Sequence, residues 1–365
     1  MGNKFLKYLL KSACPRPQAS AWRKPAGLGL LLCLVSTLLP AQSSSPEHPV
    51  PILTGNAGFF TNVEAGHTEL VPEINPLLLI PLGDRWLIES RAEFEGEFQR
   101  PKGGGPYGGK VGNELDYLQV DYIASRYVTI TAGRFLTPFG IYNERLYPIW
   151  IRDLQPLPLI FPIATGPSDG LMLRGGFSVN PKINLNYAAY FSTQSNLHKL
   201  ESDRLVGGRV GFFLPGPRIE LGFSWQKLLQ EERKNSVGFH FAWQPTSLPL
   251  NLRSEYARSD NGSGYWLEAA YRLSQVGTWN KVMRRTEVVG RAQQFFVGPN
   301  TADVAEEYGL PEVNTRQADF GLNYYLHDGL KATASYGRQF SADGNSNLWT
   351  VGIAYRFAFP LGRAQ

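Results

Sequence analysis

Glu89, Arg91, Glu93, Glu95 and Glu97 occupy every second position of one short stretch, RWLIESRAEFEGEFQ, residues 85–99. The intervening positions hold Trp86, Ile88, Ala92, Phe94 and Phe98, with Ser90 and Gly96 between them. A row of carboxylates beside a guanidinium can set a field along a water path. Catalysis needs partners of other kinds, and these are scarce. His48, His67, His198, His240 and His327 are scattered, with no metal-ligand spacing. The chain has no Gly-x-Ser-x-Gly elbow. GGGPYGG, residues 103–109, has no helix after it to cradle a phosphate. KVMRR, residues 281–285, reads as the start of a strand rather than a nucleic-acid patch. A lipase at a membrane boundary needs a Ser–His pair there, and His240 is expected to point inward. We therefore expect no enzyme, no metal and no cofactor.

Alternation with period two means a β-strand between two environments. Those environments are either core and solvent in an antiparallel sheet, or lipid and water in a membrane barrel. The same alternation recurs in VTITA, KINLNYAAYFS, RIELGFSWQ, SVGFHFAWQ, LNLRSEYAR, QADFGLNYYL and LWTVGIAYRFAF. We predict about sixteen strands, at 54–64, 69–82, 86–98, 113–124, 127–136, 169–179, 182–194, 204–214, 217–227, 236–244, 249–258, 264–274, 283–296, 315–326, 330–339 and 347–358. Gly133–Phe135 breaks parity and reads as a bulge. TADVAEEY, residues 301–308, reads as a short helix in a loop. Short turns such as Asn180-Pro181 and Asp328-Gly329 alternate with long loops such as Thr137–Ser168 and Val297–Asn314, which fits turns at the periplasmic end and loops outside. Trp86, Tyr127, Trp225, Trp243 and Trp349 lie at strand ends, where interfacial girdles sit. Small residues recur on the polar faces, which suits a narrow lumen. The expected fold is all-β: a transmembrane antiparallel β-barrel over residues 54–359, with 44–53 before it and a tail at 360–365.

The first 43 residues read as a cleaved signal peptide. Lys4, Lys7, Lys11, Arg16, Arg23 and Lys24 precede the apolar run Leu28–Leu39, and small residues follow, Ala41 and Ser43 among them. Leu32 stands before Cys33 where a lipoprotein site wants a small residue. The whole chain carries 36 Lys and Arg against 31 Asp and Glu. With the six leader bases removed, 30 bases face 31 acids, so the net charge is near −1. The basic balance belongs to targeting and does not point to nucleic acid. Both cysteines, Cys14 and Cys33, also leave with the leader.

Inside such a barrel the inward acids are Glu89, Glu93, Glu95, Glu97 and Asp121. Arg91, Arg174, Arg209, Arg253, Arg272 and Arg291 are the inward bases. They either set a transverse field or pair across strands. The longest loop, 137–168, contains six prolines and the apolar run LQPLPLIFPI. That run suits packing against the inner wall. Its charges are Glu144, Arg145, Arg152 and Asp153.

One stretch, TAGRFLTPFGIYNERLYPIW at residues 131–150, resembles the phosphate-selective porin O and P family and its wider relatives. The last strand, Trp349 to Phe359, is similar to the aromatic-ended strand that barrel-assembly machinery reads. The resemblance implies a 16-stranded homotrimeric porin in the bacterial outer membrane. In such porins the loop after the fifth strand folds inward, and here that is the loop at 137–168. Two departures stand out. There is no dense lysine ladder, so phosphate selectivity does not carry over. PLGRAQ also follows Phe359, where such chains often stop. The expected function is passive diffusion of small hydrophilic solutes or ions, anions among the candidates, past a constriction at 137–168. The alternative is a non-conducting barrel, an adhesin or scaffold with that loop as a plug.

Overall fold

The computed structural model describes residues 50–362 apart from 101–103, 198–199, 231–232, 278, 303–304 and 306–308. The leader therefore lies outside the described residues. The strands are β1 (Ile52–Glu64), β2 (His67–Leu82), β3 (Trp86–Gln99), β4 (Gly108–Ile123), β5 (Val128–Leu136), β6 (Pro167–Asn180), β7 (Ile183–Thr193), β8 (Ser195–Leu197) and β9 (Leu200–Ser202). They continue with β10 (Leu205–Leu214), β11 (Ile219–Leu228), β12 (Asn235–Trp243), β13 (Leu250–Ser259), β14 (Gly262–Arg272), β15 (Thr286–Val297), β16 (Thr315–His327), β17 (Leu330–Ser341) and β18 (Gly344–Pro360). All but β8 and β9 form one closed antiparallel barrel of 16 strands, as the alternation predicts. Closure is made by β1 on β18, from Ile52 opposite Pro360 to Glu64 opposite Leu348. β8 and β9 pair separately in the connection after β7.

Period-two sequence decides which face is which, and burial shows the assignment inverted relative to a soluble sheet. Phe239 is 53% exposed and Ile353 51%, whereas Arg291 is 2% and Glu268 3% exposed. Charged groups are almost never buried in soluble proteins unless paired, and a continuous exposed apolar belt is equally foreign to them. The outer face suits hydrocarbon and the inner face suits water. We predict that Leu173→Arg, in the middle of β6 on the outer face, costs about 2–4 kcal/mol of folding free energy. Denaturant unfolding in lipid vesicles measures it. A neutral substitution there would mean that this face meets water.

Two local expectations change, and a third holds where it is described. Register runs unbroken through Gly133–Phe135 on the β6 side, and on the β4 side it runs without a shift through Gly133 to Arg134, opposite Leu118, where the pairing ends. Gly133 absorbs the kink with φ +116°, open to a residue without Cβ, so no residue is added. The register instead shifts opposite β4 at Arg91/Ala92, which brings Asp116 beside Arg91. KVMRR is not the start of a strand. Asn280–Met283 is a helical turn, and β15 begins at Thr286, where alternation resumes. Within TADVAEEY, Thr301, Ala302 and Ala305 are helical and the other five lie outside the described residues.

The two ends of the barrel differ, though less cleanly than the turn chemistry suggests. Residues 100–107, 137–166, 194–204, 229–234 and 298–314 connect strands at one end, with tight turns at 65–66, 260–261 and 342–343. The other end has short turns except at 244–249 and 273–285, and both termini of the barrel lie there.

Candidate functional site in the barrel lumen

Residues 137–166 connect neighbouring strands β5 and β6, yet they do not stay above them. Apolar side chains drive them inward. Phe139, Ile141, Tyr142, Leu146, Ile160 and Ile163 are buried with Ala257, Trp266 and Phe295 of the wall. Tyr142 meets Trp266 edge-on, at 5.9 Å between ring centroids. Ile149 packs with Phe60, Val71 and Ala354, and Leu154 with Ala270 and Val289. Each such side chain, fully buried, contributes about 1.5–3 kcal/mol.

Inward-facing glycines make room for these side chains. A Cβ at Gly58 would come within 2.7 Å of Ile149, and one at Gly238 within 2.8 Å of Phe139. The corresponding approaches are 2.7 Å at Gly264 to Ile160 and 2.5 Å at Gly321 to Leu154. The small residues of the polar faces therefore serve as sockets for this loop.

Polar contacts pin the same segment. Glu255 Oε2 accepts from the backbone N–H of Ile141 (3.1 Å) and Tyr142 (3.3 Å), satisfying donors at the start of the helical turn Tyr142–Leu146. Ser224 Oγ accepts from Gly140 N at 3.0 Å. Lys331 Nζ is buried and donates to the carbonyls of Trp150 (3.1 Å) and Arg152 (2.7 Å). Arg291 donates to Pro156 O at 2.5 Å, Gln293 accepts from Leu159 N at 2.9 Å, and Asn323 donates to Asp153 O at 2.9 Å. On the far side, Tyr147 donates its hydroxyl proton to Glu93 at 3.2 Å. Burial pushes the Tyr147 phenol well above its ordinary range, with Glu93 adding to the shift and Arg152 opposing it, so the group remains a donor.

The charges singled out from sequence mostly meet one another. Within the loop, Glu144 pairs with Arg209 at 2.7 Å, Arg145 with Glu220 at 2.8 Å, and Asp153 with Arg253. Arg152 turns back onto the loop, donating to Tyr147 O, with its guanidinium 4.8 Å from the centroid of the Tyr147 ring. On the wall, Arg91 pairs with Asp116 at 2.9 Å and Glu93 at 3.8 Å, and Arg174 pairs with Asp121 at 3.0 Å. Arg253 and Arg291 approach Glu268 at 3.3 and 3.7 Å, and Arg291 lies 3.5 Å from Asp319. Glu97 and Lys110 pair at 3.1 Å near the loop end, both exposed. Arg272 sits apart at the turn end, over the Tyr325 ring at 4.3 Å. Glu89 accepts from Gln119 at 3.2 Å. Among the described residues, Glu89 and Glu95 make no ion pair with lysine or arginine. Pairing, between strands or between wall and loop, thus accounts for most of the inward charge.

Sequence reasoning missed Lys331, Glu255, Glu220, Asp116 and Tyr147. The first three sit on inward parity and were detectable as buried charges needing partners. Asp116 was hidden by the register shift. Among the described residues, none of the loop's hydrogen bonds or ion pairs goes to β4–β7. The wall there carries Gln119, Asp121, Arg174 and Tyr190 on its inner face.

No protein-family model matches the sequence, and no curated protein matches it. Solved structures match in shape, outer-membrane porins and channels among them. The chain is similar to OprB of Pseudomonas putida in a low-pH structure, at 9% identity over 94% of this chain and 100% of that one, with a TM-score of 0.56. It is similar to OmpF of Salmonella typhi, solved with daunomycin, at 12% identity over 84% and 97% of the two chains, TM-score 0.55. An anion-selective porin from Comamonas acidovorans gives 12% identity over 85% and 99%, TM-score 0.51. At these identities the likeness is one of fold. It supports the general porin architecture and not the narrower phosphate-selective family.

Proposed function

We propose that this chain is an outer-membrane porin. The leader at 1–43 exports it, the outer belt of the sixteen barrel strands meets lipid, and the lumen holds a water path for small hydrophilic solutes. The loop at 137–166 narrows that path. The observation that carries the reading is a gap in the loop's anchoring: its polar contacts go to β3, β10, β11, β13 and β15–β17, its Ile149 packs on β1, β2 and β18, and among the described residues none of its hydrogen bonds or ion pairs goes to β4–β7. The passage then runs between Glu144 with Arg209 on one side and Glu89, Asp121 and Arg174 on the other. Paired charges of both signs give weak ion selectivity. Assembly as a homotrimer and delivery by the barrel-assembly machinery belong to the same proposal.

Ile149 in its socket at Gly58, with Tyr147 on Glu93, favours a second reading. The loop then reaches across the lumen and shuts it, leaving a scaffold or adhesin. Purified protein in a planar bilayer separates the two. Stable open steps support the porin, and silence from well-folded barrels supports the scaffold.

A further inference from the structure

One stretch of the inner wall carries negative charge that pairing does not cancel. Glu73 on β2 is 7% exposed, and its direct neighbour across the ladder is Glu95 on β3. Among the described residues neither carboxylate forms an ion pair with lysine or arginine. Glu93 stands beside them, also 7% exposed. The amide of Asn75 is wedged between two of these groups, donating to Glu73 Oε1 at 2.8 Å and to Glu93 Oε2 at 3.2 Å. The cations at hand are committed elsewhere. Arg91 is shared between Asp116 at 2.9 Å and Glu93 at 3.8 Å. Arg152 lies within electrostatic reach of Glu73, yet it donates to the carbonyls of Tyr147 and Gln155. Against Glu73, Glu93, Glu95 and Asp116 stand Arg91 and Arg152, so four negative charges less two positive leave two over.

The same place holds oxygen atoms without a donor. Asn56 on β1 is 7% exposed and faces Asn75 directly across the β1–β2 ladder, on the inner side. Side chains so opposed lie about 5 Å apart at Cβ. Oδ1 of Asn56 is buried without a hydrogen-bond partner, and so is Oδ1 of the fully buried Asn75. Burying an acceptor unpaired, or a carboxylate without a counter-charge, is costly. Here both kinds sit on adjacent strands, and both orphan atoms are acceptors. Orphan acceptors beside an excess of negative charge match a cation, and neither an anion nor an apolar group.

We propose that Glu73, Glu93, Asn75 and Asn56 bind a calcium ion on the inner wall of β1–β3. Calcium takes carboxylates, amide carbonyls and water together in irregular arrangements, whereas magnesium demands a near-ideal octahedron. Turning the Asn75 amide over puts Oδ1 between the carboxylates in place of the nitrogen, with almost no change of shape. Two carboxylates and two amide oxygens are then the protein's ligands, and water completes the shell. The two positive charges of the ion match the excess of two. Tyr147 donates to Glu93 at 3.2 Å, which places the site beneath the far side of the loop at 137–166. The site does not depend on the lumen being open.

The test uses the full barrel, refolded and stripped with a chelator, with calcium chloride alone as the probe. Isothermal titration should give one calcium per chain, with Kd about 10⁻⁴ M or tighter. Glu73→Gln keeps the side-chain shape and removes a charged ligand, so it is expected to weaken binding by about tenfold or more. Asn56→Ala should weaken it as well. Glu89→Gln, an inward carboxylate of β3 outside the set, should bind as wild type does. Equal affinity in wild type and all three variants overturns the site, because binding would then belong to the general charge of the lumen. Absence of calcium heat from folded wild type at neutral pH also overturns it, and assigns protons to the excess charge. Denaturant unfolding gives a second reading, in which calcium raises the midpoint of wild type and not of Glu73→Gln. An equal rise in both would overturn the site too.

Discussion

Excising residues 138–165 and joining Thr137 to Gly166 through a short glycine-serine turn raises single-channel conductance several-fold, with the barrel still folded. The ends are already close, since Thr137 N donates to Gly166 O at 3.1 Å. The ladders of β5 with β4 and β6 run outside the excised segment, so closure of the barrel does not depend on it. Excision removes Phe139, Ile149, Leu154 and Ile160 from their glycine sockets and opens the cross-section to water. Glu255, Arg253 and Lys331 lose partners they need while buried. Breaking a buried pair costs about 3–5 kcal/mol when the remaining charge stays dry. Here the same excision hydrates the charges, and the barrel tolerates it. An unchanged conductance step would show that the loop stands outside the solute path.

Arg174→Glu combined with Arg209→Glu turns the channel toward cations. Arg174 sits at 3.0 Å from Asp121 on the wall and Arg209 at 2.7 Å from Glu144 on the loop. The two replacements change the charge beside the proposed passage by four units. A unit charge about 8 Å from a permeating ion contributes about 0.5 kcal/mol in water, so four contribute about 2 kcal/mol before salt screening. That is enough to move the permeability ratio by more than about tenfold at low salt. Reversal potential under a salt gradient reads it directly. No shift would remove both arginines from the ion path.

The stretch RWLIESRAEFEGEFQ shows why the barrel was legible and the lumen only partly so. Its parity names the two faces without any partner, because side chains alternate whatever lies across the strand. Strand number and closure followed from sixteen such segments. Contacts within the lumen are of another kind. Glu255 meets Ile141 across 114 residues of sequence, and Lys331 meets Arg152 across 179. Nothing local to Lys331 announces that two carbonyls of a distant loop will cap it. Gly58, Gly238, Gly264 and Gly321 were legible as small residues suited to a narrow lumen. Which loop side chain each receives depends on how the barrel closes. Arg272 had the right parity and the wrong height, since parity says nothing of depth. Asp116 escaped because one shift of register at Arg91 moves it to the inner face.

The central claim is that solute passes between Glu144 and the wall of β4–β7. Both cysteines lie before residue 44, so a chain starting there carries none and Glu144→Cys supplies a single thiol. The measurement is single-channel current through this variant before and after a bulky charged thiol reagent, with outward-facing Phe239→Cys as the control. The account predicts open steps that fall sharply on labelling at 144 and do not change at 239. Steps untouched by the label at 144, or no steps from folded barrels, would contradict it.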